Sequence, residues 1–142
     1  MRQNEKDLLL TDLCGRLPYK VKAQIPDEYG GYTSIIESID IDGFVVDFEG
    51  TQIEIECIKP YLFPLSSMTE EQKYDFYCRF IENDCDFDDF KEFYLDNGMW
   101  HKLITSLDDV DAIIDWFHKN HFDYRGLIPK GLAIDATGKN IY

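Results

Sequence analysis

The sequence predicts an α+β fold: an N-terminal helix, a four-stranded antiparallel curled sheet with an SH3-like small barrel as one form it can take, then three helices and an irregular C-terminal strap. Three observations predict it. Apolar residues recur at fours through Leu9, Leu13 and Leu17, fall to a period of two through Tyr19, Val21, Ala23 and Ile25, and return to helical spacing from Tyr74. The period-two stretch is broken by Asp42-Gly43 and Glu49-Gly50, both tight-turn signals. A chain of 142 residues, 44% hydrophobic and 15% aromatic, has enough apolar surface for one core without staples. Residues 1–142 therefore read as a single α+β domain, with its β part at about 19–58 and its helical part at about 67–120.

The first helix runs from Lys6 to Leu17, with Leu10 and Cys14 alongside its leucine stripe, Gly15 as its end and Pro18 as its stop. Tyr19 to Ile25 is the first strand. Asp27 to Gly31 turns into a second, Tyr32 to Ile41; Asp42-Gly43 leads to a third, Phe44 to Phe48, and Glu49-Gly50 to a fourth, in which Ile53, Ile55 and Cys57 share a face. Lys59 to Leu65 carries two prolines, each biasing its predecessor toward extended backbone, and reads as a stiff strap. Ser67 to Glu70 fits a capping box for a helix over Thr69 to Ile81. Asp86 caps a second helix over Phe87 to Leu95, ended by Gly98, and Ser106 opens a third, with Asp108 and Asp109 at its positive end and Val110, Ile113, Ile114 and Phe117 as its buried stripe. The expected core includes Leu9, Leu13, Val21, Ile55, Phe80, Ile114 and Phe117.

Charge narrows function. The 28 acids against 14 bases give a net charge of −14, which argues against gripping nucleic acid or an anionic membrane by bulk attraction. The imbalance is local: residues 1–25 and 118–142 are each at +2, and residues 26–117 at −18. An anionic ligand is therefore expected near the termini. No apolar run approaches the ~20 residues of a membrane span, and the polar opening does not resemble a signal peptide. The expected compartment is a reducing cytoplasm, with Cys14, Cys57, Cys78 and Cys85 as free thiols and the first two packed.

Catalytic and metal motifs are not found. Asp84, Asp86 and Asp88 match the start of a calcium loop, but Asp89 stands where glycine is needed and Leu95 where a glutamate belongs. His118 and His121 lack an evident third ligand and read as half-exposed groups at a helix end. No cofactor, metal or catalytic residue is expected, and the chain leans away from an enzyme. The stretch His121 to Gly131 combines aromatics, cations and glycines, and Tyr124, Arg125 and Lys130, with His121 as a pH-sensitive neighbour, are the candidate ligand-binding residues. The competing reading is a packed strap in which Arg125 pairs with an acid of the −18 middle.

Three blocks then carry a resemblance: Leu8-Leu9-Leu10-Thr11-Asp12-Leu13-Cys14-Gly15-Arg16-Leu17-Pro18-Tyr19, Ile58-Lys59-Pro60-Tyr61-Leu62-Phe63-Pro64-Leu65-Ser66-Ser67-Met68, and His121-Phe122-Asp123-Tyr124-Arg125-Gly126-Leu127-Ile128. Together they resemble a family of small acidic proteins encoded by phages and mobile elements of gut bacteria. The resemblance implies an accessory protein of the bacterial host cell that acts by non-catalytic binding, as a host-defence antagonist that sequesters a nucleotide signal or blocks a host protein. The implied partners are a host protein or a small anionic ligand such as a nucleotide, with a second copy of the chain also admissible, and without membrane contact or direct nucleic-acid binding. An acidic nucleic-acid mimic, or an enzyme with no recognisable motif, is the alternative.

Overall fold

The computed structural model describes residues 1–92 and 110–142. Its order is an N-terminal helix, a mixed sheet and three further helices: α1 (Gln3–Arg16), β1 (Lys22–Gln24), β2 (Thr33–Ile39), β3 (Phe44–Asp47), β4 (Gln52–Glu54), β5 (Lys59–Pro64), α2 (Glu70–Phe80), α3 (Phe87–Phe90), α4 (Val110–Lys119), β6 (Phe122–Asp123) and β7 (Ile134–Asp135). The expected end of the second late helix, at Leu95 and Gly98, and the expected start of the third, from Ser106 to Asp109, lie outside the described residues.

Two compact units divide the chain. The first contains Met1–Pro64 and Phe117–Tyr142, the second Leu65–Trp116.

In the first unit the expected meander is present: β1 to β4 pair antiparallel in sequence order. The sheet does not stop there. It has seven strands in the order β4-β3-β2-β1-β5-β6, with β7 on β5 off that path, and it is open rather than closed into a barrel. The strap over Lys59 to Leu65 is corrected accordingly, because it contains β5, antiparallel to β1 and parallel to β6 and β7. Its prolines stand near the ends of the strand, and the residues between carry the ladder: Phe63 N–H donates to the His121 carbonyl at 2.8 Å and the Leu62 carbonyl accepts from Ala136 N–H at 2.8 Å. The C-terminal tail, expected to be irregular, supplies both parallel strands.

The meander strands are shorter than their alternation suggests. Tyr19 belongs to a 3-10 turn over Leu17–Tyr19. β4 ends at Glu54, and Ile55–Cys57 winds into another such turn, leaving Ile55 and Cys57 half-buried rather than in the core. The core of this unit joins Leu9 and Leu13 of α1 to Val21, Ala23, Val45 and Ile53 of the sheet. Phe117 is also buried, as expected, whereas Ile114 is half-buried. Gly15 does not end α1. It lies within the last turn, where a Cβ would come within 2.5 Å of His118 Cε1, so its role is to admit the histidine ring. Cys14, expected to be packed, is exposed.

The second unit is built on aromatics. Phe76 is buried, with Phe80 at 4.9 Å, Phe90 stacked at 5.9 Å and Trp116 edge-on at 5.1 Å. Trp116 Nε1 donates to Asp75 at 2.8 Å. Phe80 itself, expected in the core, is half-buried, and Tyr74 is 54% exposed. The α2 cap is two residues later than expected: Thr69 Oγ1 accepts from Gln72 N–H at 3.2 Å and Gln72 Oε1 from Thr69 N–H at 2.9 Å. Ser67 instead belongs to a 3-10 turn. Asp86 caps α3 as expected, accepting from Asp89 N–H at 2.8 Å.

Candidate functional site

Charged residues on the buried face of a helix are costly unless paired. Helix α1 places two there, because Asp12 and Arg16 follow Leu9 and Leu13 at helical spacing, and all four are buried. Arg16 Nε donates to Asp12 Oδ2 at 2.6 Å and Nη2 to Oδ1 at 3.2 Å. Nη2 also donates to the Phe122 carbonyl of β6 at 2.7 Å, so the guanidinium ties α1 to the tail. A second guanidinium reaches the same carboxylate, with Arg125 Nε 3.3 Å from Asp12 Oδ1. Two cations share one anion. Arg16 Nη1 is buried and has no hydrogen-bond partner among the described residues.

Aromatic rings surround this group. Tyr124 stacks on Phe117 at 5.4 Å, with the guanidinium carbons of Arg125 and Arg16 at 5.0 and 5.7 Å from its ring centre. Arg125 Nε donates to the Tyr124 hydroxyl at 3.2 Å, leaving that O–H to face His118 Nε2 at 2.8 Å. His118 is buried, contrary to the half-exposed position expected. His121 takes a left-handed backbone, φ +60°, just past α4 and stacks on Tyr142 at 3.6 Å. Its Nδ1 is a second buried atom without a partner among the described residues. The Tyr142 hydroxyl accepts from Lys22 N–H at 2.9 Å and donates to the Tyr61 carbonyl at 2.8 Å.

Titration follows this environment. Burial, together with the nearby charges of Arg16 and Lys22, pushes His121 down to about 4, so it is neutral at physiological pH. Burial pushes the Tyr142 phenol up to about 12 and also raises Tyr124. The Arg16–Asp12–Arg125 group gathers two cations around one anion within a protein of charge −14.

Of the four residues singled out from the sequence, two meet at this place, Tyr124 and Arg125, while His121 stacks on Tyr142. Lys130 is exposed and enters none of these contacts. Arg125 is paired, as the strap reading required, although its acid lies on α1 and not in the −18 middle. Asp123 accepts from Leu127 and Ile128 N–H, each at 2.9 Å, and so fixes the turn at Gly126. Gly126 and Gly131 serve turns, with φ near +75° and open space where a Cβ would stand. Sequence reasoning missed Asp12, Arg16 and Tyr142. The signal for the first pair was present, since an acid and a base four apart shared the face of Leu9 and Leu13.

The described residues contain no group of three His, Cys, Asp or Glu side chains that could hold a metal, and no helix long and apolar enough to cross a membrane. Comparison with protein-family models, with curated proteins and with solved structures finds no match.

Proposed function

We propose that this is a non-catalytic binding protein that takes a small anion of the nucleotide class beside the Arg16–Asp12–Arg125 group. One observation carries the reading: two guanidiniums share a single buried carboxylate, and a buried N–H of Arg16 has no partner among the described residues. Such a group carries one net positive charge in a medium that screens poorly, and a phosphate that meets it at Arg125 offsets that charge. Arg125, 29% exposed, connects the group to solvent. In the setting that the sequence resemblance implies, the protein works in the bacterial cytoplasm by withdrawing a signal nucleotide.

A thermal-shift panel of mono-, di- and cyclic nucleotides tests this, because a ligand at a hundred times its dissociation constant adds about 2.7 kcal/mol of stability. The reading requires a shift with at least one phosphate-bearing member, none with its nucleoside, and recovery of the nucleotide unchanged after denaturation. A panel without any shift rejects the ligand class, and chemical conversion of the nucleotide rejects the non-catalytic role.

A further inference from the structure

Two hairpin turns in the first unit repeat one pattern: Asp40-Ile41-Asp42-Gly43 between β2 and β3, and Asp47-Phe48-Glu49-Gly50 between β3 and β4. Asp40 Oδ1 accepts from Asp42 and Phe44 N–H, each at 2.9 Å, and Asp47 Oδ1 accepts from Glu49 and Thr51 N–H at 3.0 and 2.9 Å. Gly43 and Gly50 hold φ of +83° and +86°. The first and fourth positions are thus explained by the turn. The second is not. It carries Ile41, completely exposed at 101%, and Phe48, 67% exposed. A β-branched residue gains no packing at so exposed a position, and the turn does not require it.

Beside the Ile41 turn lies a cleft of about 320 Å³. Asp7 of α1, Asp42 of the turn, and Glu54 and Glu56 after β3 line it, and Lys6, its one cation, pairs with Glu56. Leu10 and Phe44 contribute an apolar part. An exposed aliphatic side chain next to a cleft with four carboxylates and one ammonium complements a surface that pairs cations with apolar residues. Nucleic acid and anionic lipid are repelled there. The Phe48 turn lacks this bias, since the hollow beside it is lined by one cation, Lys22, and one acid, Glu49.

We infer that the Ile41 turn and the acidic cleft form a docking site for a basic segment of a partner protein, in which an arginine or lysine enters the cleft while an apolar neighbour covers Ile41. This site is separate from the anion group, and neither depends on the other.

Fluorescence anisotropy with a labelled peptide of alternating arginine and leucine tests it, against matched glutamate–leucine and arginine–serine peptides. The arginine–leucine peptide should bind, more weakly as salt rises, and the two controls should bind at least about tenfold more weakly. Ile41→Ser and Glu54→Gln should each reduce affinity about tenfold, whereas Phe48→Ser should leave it unchanged. Circular dichroism melts of the variants show that each is folded. The inference is overturned if the arginine–leucine peptide does not bind, if the arginine–serine peptide binds equally well, if Phe48→Ser matters as much as Ile41→Ser, or if single-stranded DNA competes for the same cleft.

Discussion

The two halves of α1 treat charge in opposite ways. Its first turns send Lys6 and Asp7 to the rim of an open acidic cleft, where water screens them. Its last turns bury Asp12 and Arg16 completely, and a second arginine arrives from the tail. Helix position favours this arrangement, since Arg16 lies in the last turn, near the negative end of the dipole. The net charge of −14 therefore acts differently at the two ends of the helix. Acids spread over the surface set a background field, whereas the buried cations define a place with geometry, hydrogen-bond direction and an unmatched charge.

Breaking the buried half should have the largest effect. Asp12→Asn leaves two guanidiniums without a counterion and should cost about 3–5 kcal/mol, read as the fall in urea midpoint. The double replacement Asp12→Leu with Arg16→Met should cost clearly less than the single one, because it removes the charges together. A double variant as unstable as the single would show that packing, and not charge, is the limiting term. Gly15→Ala is next: its Cβ would meet the buried His118 ring at 2.5 Å, and a destabilisation of about 1–3 kcal/mol is expected, where an unobstructed helix would gain from alanine.

The difference between the halves was only partly legible in the sequence. The hairpins at Asp42-Gly43 and Glu49-Gly50 were readable because a local need, positive φ, selects glycine. The cap of α2 was readable as a motif but not in its frame, since Ser67 to Glu70 and Thr69 to Gln72 both satisfy it, and only the 3-10 turn over Leu65–Ser67 decides between them. Strand β5 was hidden by its prolines, and because Phe63 finds its partner only at Phe122. At the candidate site, Tyr124 and Arg125 stood out by composition. Asp12 and Arg16 did not, because the stripe through Leu9, Leu13 and Leu17 is defined by apolar residues alone, and charged residues on the same face ordinarily point to solvent. No local pattern shows that Arg125 reaches Asp12, because that contact is made by the fold.

Acid should act on the buried half first. His121 has an ordinary value of 6.5 when unfolded and about 4 when folded, so the unfolded chain binds the proton more readily. Its contribution is complete above about pH 6.5 and is lost as the pH falls from there toward 4. Allowing for its partial exposure, this is roughly 2 kcal/mol. Melts between pH 7 and 4 should show that slope reduced in His121→Phe; an unchanged slope would assign the acid sensitivity to other groups. Asp47 reinforces the trend. Burial alone would raise its carboxyl, but the Tyr32 hydroxyl and the N–H groups of Thr51, Glu49 and Gly50 outweigh it and hold it below the ordinary range, so its contribution is lost only at lower pH. The smallest effect belongs to the exposed half: Ile41→Ser should change the melting midpoint by no more than about 0.5 kcal/mol, and a larger loss would show that the side chain serves the fold.

In the proposed function, the Arg16–Asp12–Arg125 group holds one positive charge for an anion. The most direct test is a nuclear magnetic resonance titration that follows the Nε–H signals of both arginines as nucleoside phosphates are added at constant ionic strength. The Arg16 and Arg125 signals should move together and saturate with one ligand per chain, while the backbone amides of Asp42 to Phe44 stay in place. Guanidinium signals that remain still while the exposed Lys130 region shifts, or that do not respond to any nucleotide, would contradict the proposed function.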